Sequence, residues 1–137
     1  MNELTVRADV ENIDEVIGFI DEGLEGTSCP MATQMAIDVA VDELFTNIAS
    51  YSYGETGGEA TVQFDLGEEN GREKAEITFI DRGMPFDPTQ HEDPDTSLSA
   101  EEREIGGLGI LIVKRTMDSM SYTRDGDKNI LTITKVF

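Results

Sequence analysis

Three short stretches of this 137-residue chain carry residue types at spacings that could do chemistry. In the first, Glu43 and Asn47 stand four apart in a segment that reads as one long helix, about Met31 to Tyr51. Residues four apart are neighbours on a helix face, and the small side chains of Ala36, Ala40 and Ser50 on that face leave room for another group to approach. For a lone Glu-x-x-x-Asn, a local hydrogen bond on a polar face is the better account. In the second stretch, Asp81-Arg82-Gly83-Met84-Pro85-Phe86, Asp81 sits where a strand leaves its sheet. A carboxylate there can accept hydrogen bonds from an exocyclic amine, and Gly83 permits a tight turn and the close approach of a flat ligand. An ordinary Asp-x-Gly turn has the same composition. The third stretch is Gly106-Gly107-Leu108-Gly109-Ile110. Glycines opening a helix expose backbone N–H groups to an anion, where the helix dipole favours negative charge; a flexible hinge is the alternative. The pattern is neither the phosphate loop ending in Gly-Lys-Ser/Thr nor the dinucleotide Gly-x-Gly-x-x-Gly.

These stretches need elements to hold them. Leu4 to Ala8 alternates and predicts a strand. Asp9 is a plausible N-cap for a helix over about Glu11 to Glu25, with Ile13, Val16, Ile17, Ile20 and Leu24 at helical spacing. Pro30 suits the start of the long helix. On that helix, Ile37, Val41, Leu44, Phe45 and Ile48 form an apolar stripe for a sheet, while Asp38, Asp42 and Ala49 are expected in water. Strands follow over about 60–66 and 75–80, joined by a loop at 67–71, then a long loop, 82–105, of the kind that forms lids. An apolar helix, about 108–117, and a final hairpin, about 121–124 and 129–136, close the chain. This order predicts one α+β domain over 1–137, a two-layer α/β sandwich with a mixed, mostly antiparallel sheet and helices on one face.

Composition limits the partners. Lys and Arg number 10 against 29 Asp and Glu, giving a net charge of −19 and a pI near 4.1. No generic nucleic-acid or anionic-membrane surface fits that balance. From Asp9 to Gly71 there are 15 acids and no Lys or Arg, which reads either as a solvated acidic surface or as a docking face for a basic protein. No apolar run is long enough for a bilayer span, the N-terminus lacks secretory features, and Cys29 is the only cysteine, so a reducing cytoplasm is expected. His91, Asp93, Asp95 and Arg103 fall in the long loop without a motif around them, though Arg103 has the charge to meet a phosphate.

Taken in order, the three stretches resemble the GHKL ATP-binding superfamily over nearly the whole chain. In detail they are similar to the small anti-sigma-factor serine/threonine kinases, on Asp42-Glu43-Leu44-Phe45-Thr46-Asn47, Asp81-Arg82-Gly83-Met84-Pro85 and Gly106-Gly107-Leu108-Gly109. Many members have His-Ala-Tyr where this chain has Tyr51-Ser52-Tyr53. The resemblance implies ATP and Mg²⁺ as cofactors. It makes Asn47 the metal ligand, Glu43 the general base, Asp81 and Gly83 the adenine-binding pair, and Gly107, Leu108 and Gly109 part of the phosphate-binding flap. It also implies transfer of the γ-phosphate to a Ser or Thr of an anti-sigma-factor antagonist of STAS type, binding of a sigma factor, and a homodimer. A non-catalytic module that sequesters a partner in a nucleotide-dependent way is the alternative.

Overall fold

The computed structural model describes residues 2–53, 56–90 and 107–137. Five strands form one sheet in the order β1-β2-β3-β5-β4: β1 (Asn2–Arg7), β2 (Glu59–Glu69), β3 (Arg72–Asp81), β4 (Ser119–Asp125) and β5 (Lys128–Val136). Every pairing is antiparallel, so the expected parallel component is absent among the described residues. Three helices, α1 (Ile13–Leu24), α2 (Met31–Asn47) and α3 (Gly107–Thr116), accompany the sheet. None of the described helices is long and apolar enough to cross a membrane.

Period-two alternation decides which way the strands face. On β3, Ala75, Ile77 and Phe79 are buried, and Asp81 continues the same inward parity at the strand's end. Ile80 points to the other face and is only half-buried. Against this layer lies the α2 stripe, with Ile37, Val41, Leu44 and Phe45 all inaccessible or nearly so. Val16 and Ile20 of α1 complete the core. Truncating Phe45 or Phe79 to Ala removes a wholly buried ring, a change that typically costs about 3–5 kcal/mol.

Local chemistry sets several boundaries that differ from expectation. Asp9 caps a short 3₁₀ turn at Val10–Asn12, accepting from the Glu11 N–H at 3.0 Å, and α1 starts only after it. The β2–β3 connection is two residues, Asn70-Gly71, rather than five; both have positive φ, 54° and 80°, the conformation a tight twisted hairpin requires. The long helix stops being α at Asn47 and continues as a π-turn over Ile48–Ser52.

Asp38 is not in water. It lies half-buried in the seam between α2 and α1, facing Asp21. One oxygen of each carboxyl, Asp21 Oδ1 and Asp38 Oδ1, is buried without a donor among the described residues. Burial, then the hydrogen bond to Asp21 and its charge, push the Asp38 carboxyl up to about 7. The folded chain therefore keeps a proton that the unfolded chain releases near pH 4, and this pair's contribution to stability falls as pH rises toward 7. Asp38→Asn mimics the protonated form. Its melting temperature should exceed the parent's most above pH 7, and the gap should close as pH falls to about 4 in thermal melts.

Candidate functional site

The site is built on a cross-strand pair. Asp81 of β3 and Asn129 of β5 are directly opposite in register and are 4% and 5% exposed, the two buried polar side chains among the described residues. Burying a carboxylate demands donors, and two are present. Asn129 Nδ2 donates to Asp81 Oδ1 at 2.9 Å, and the Gly83 N–H donates to the same oxygen at 2.9 Å. Asn129 is itself held on all sides. Its Nδ2 also reaches the Met84 carbonyl at 2.9 Å, and its Oδ1 accepts from the Tyr122 hydroxyl at 2.5 Å and from Arg124 Nη1 at 3.1 Å. Arg124 Nη1 also donates to the Gly83 carbonyl at 2.9 Å. The 83–84 loop is thus tied to the last hairpin by side chains, with Asp81 Oδ2 left as an acceptor beside the cleft.

The other anchor of this loop is the π-turn. The Met84 N–H donates to the Ser52 carbonyl at 2.7 Å. A Cβ on Gly83 would lie 2.2 Å from that carbonyl oxygen, so the backbones meet only because Gly83 has none. Tyr53 adds a second tie: its hydroxyl donates to the Glu59 carbonyl at 2.5 Å and accepts from the Arg82 N–H at 2.6 Å. Tyr51-Ser52-Tyr53 therefore serves as the seat of the Asp81 loop.

Glu43 and Asn47 lie one turn apart on the half-buried flank of α2. Ala40, expected on the same open face, is instead fully buried. Glu43 is pressed against the first turn of α3: a Cβ on Gly109 would come 2.1 Å from Glu43 Oε2. Burial, with Asp42 adding to it, pushes the Glu43 carboxyl up, which strengthens its hold on a proton. Gly107 and Leu108 begin α3; the side chain of Leu108 lies outside the described residues, as do Gly106, His91, Asp93, Asp95, Arg103 and the 91–105 part of the expected lid.

Asn47 and Asp81 line one cleft, with about 560 Å³ of free space including its open mouth. Its walls are mainly apolar: Leu44, Ile48, Met84, Pro85, Phe86 and Leu131. An apolar slot with one inward acceptor fits a flat heteroaromatic ring bearing an amino group. The Asn47 carboxamide has no hydrogen-bond partner among the described residues, and no cluster of three or more His, Cys, Asp or Glu forms a metal cage among them. One free amide oxygen fits Mg²⁺, which takes its remaining ligands from phosphates and water.

A family model described as the histidine kinase-like ATPase domain matches residues 6–135. The chain belongs to that family. It is similar to a serine-protein kinase, RsbW, of Halalkalibacterium halodurans, 28% identical over 134 residues, which span 95% of this chain and 73% of that protein. A serine/threonine-protein kinase, BtrW, of Bordetella bronchiseptica is 28% identical over 101 residues, 74% of this chain and 69% of that protein. The solved RsbU and RsbW domains of Rv1364c from Mycobacterium tuberculosis share the fold, with a TM-score of 0.65 at 15% identity, over 99% of this chain and 33% of that one.

For this member of the ATPase family, sequence reasoning missed Asn129, Tyr122 and Arg124. One signal was readable: Asn129 shares the inward parity of Leu131 and Ile133 on β5, and an Asn at a core position needs a polar partner. Asn129→Ala should destabilise the fold by about 2 kcal/mol, because it strips Asp81, Met84 and Tyr122 of a partner, and should weaken adenine-nucleotide binding in calorimetry. The two close-approach glycines should differ. Gly83→Ala meets backbone and should lower the melting temperature, whereas Gly109→Ala meets only the end of a movable Glu43 side chain and should largely keep it.

Proposed function

We propose that this chain is a serine/threonine protein kinase that uses Mg·ATP and phosphorylates a Ser or Thr of an anti-sigma-factor antagonist of STAS type, so regulating transcription by partner switching. The observation that carries the reading is the convergence of Asn47 and Asp81 on one cleft, with Glu43 one helical turn from Asn47 and pressed against the start of α3. The kinase names of the RsbW and BtrW relatives support it.

In this reading Asp81 accepts from the adenine amino group, and Gly83 with the apolar walls holds the ring. Asn47 would hold Mg²⁺, which when bound would supply charge neutralisation to the phosphates. Gly107, Leu108 and Gly109 place backbone N–H groups toward the phosphates at a helix N-terminus. The acceptor hydroxyl oxygen forms a bond to the γ-phosphorus while the bond from that phosphorus to the β–γ bridging oxygen breaks; ADP leaves with the electron pair, and the hydroxyl proton passes to the Glu43 carboxylate. A carboxyl raised by burial is better matched to that proton than an exposed one. Most of the remaining rate enhancement comes from positioning.

Two variants test the assignment. Asn47→Ala should abolish Mg-dependent nucleotide binding in titration calorimetry with ADP. Glu43→Gln should bind Mg·ADP like the parent but lose about 10²–10³-fold in transfer of radiolabel from ATP to a STAS-type acceptor. Unchanged affinity in the Asn47 variant would overturn the site. Tight nucleotide binding by the parent without label transfer would leave a nucleotide-dependent binding module.

A further inference from the structure

The outward side of α2 is unlike the rest of the acidic surface. Met31, Met35 and Val39 recur every four residues and are 70%, 61% and 45% exposed, so they form one apolar ridge that none of the described residues covers. Charge surrounds it. Asp42 is exposed on the same side of α2, and α1 runs alongside with exposed Asp14, Glu22 and Glu25. No Lys or Arg occurs anywhere from Asp9 to Gly71.

A second observation falls on this surface. Gly18 lies mid-way along α1 on its exposed side, and a Cβ built there would meet nothing within 4 Å. Its φ is not positive, so neither internal packing nor backbone conformation calls for glycine. Glycine in a helix interior is a poor choice for stability. It becomes intelligible where another chain approaches the helix closely.

We infer that the α1–α2 face is a docking surface for a basic amphipathic helix of a partner protein, whose apolar side covers the Met31–Met35–Val39 ridge, whose Lys and Arg side chains meet the acidic rim of Asp14, Glu22, Glu25 and Asp42, and whose backbone approaches α1 at Gly18. Methionines suit such a face because their flexible, polarizable side chains adapt to a partner's shape. The opposed charges give orientation and fast association. This surface is separate from the nucleotide cleft and does not rest on the kinase reading.

The test uses the full chain, isotope-labelled, titrated with a synthetic 18-residue amphipathic Leu/Lys helix and with the same peptide carrying Glu for Lys. The Lys peptide should perturb the amide signals of Gly18, Met31, Met35 and Val39, with an affinity that drops at least tenfold between 50 and 500 mM salt. The Glu peptide should not bind. Gly18→Leu should raise the melting temperature yet weaken the Lys peptide at least tenfold, and Met35→Ser should weaken it similarly with the fold retained. Three results would overturn the inference: perturbations centred elsewhere, equal binding of both peptides, or unchanged affinity in the Gly18 and Met35 variants. Concentration-dependent dimerisation lost in Met35→Ser would assign the face to a second copy of this chain instead.

Discussion

A carboxylate buried at the end of a core strand is the constraint on which this structure turns. Asp81 takes the inward position that Ala75, Ile77 and Phe79 define, where an apolar side chain would ordinarily sit. It can be there because Asn129 and the Gly83 N–H donate to one of its oxygens. Leaving a buried charge without donors would cost several kcal/mol. The same donors fix the carboxyl plane, so the second oxygen has one direction in which to accept.

From that pair the rest of the cleft follows. Asn129 also binds Met84, Arg124 binds Gly83, and Ser52 receives the Met84 N–H, so the loop that follows β3 is held by two sheet strands and a helix end. The π-turn at Ile48–Ser52 belongs to this arrangement. The helix ends at Ser52, so that carbonyl, like the last carbonyls of any helix, has no intrahelical partner and takes the Met84 N–H instead. Glycine appears at the two places where main chain or carboxylate must come closest, Gly83 and Gly109.

Much of this was legible in the residues. Helical spacing located the α2 stripe, and alternation located the inward face of β3. Placing Glu43 beside Asn47 needed only the helical repeat. What the sequence could not convey is which strand lies across from which. The Asp81–Asn129 contact joins residues 48 positions apart, and register between such strands depends on the whole sheet rather than on either segment. Asp38 was misplaced for a related reason: its helix face was correct, but that face is occupied by α1 and not by water. The Asn70-Gly71 turn, in contrast, was a local signal, and its five-residue reading gave polarity more weight than backbone conformation.

The strand order has a consequence for biosynthesis. β3 is flanked by β2, made just before it, and by β5, which the ribosome delivers last among the strands. Until residues 128–136 emerge, the nascent protein presents the hydrogen-bonding edge of its central strand without a neighbour, the kind of edge that recruits other chains. Asp81 has no Asn129 during the same interval. The growing polypeptide thus completes the Asp81–Asn129 pair at the moment it closes that open border.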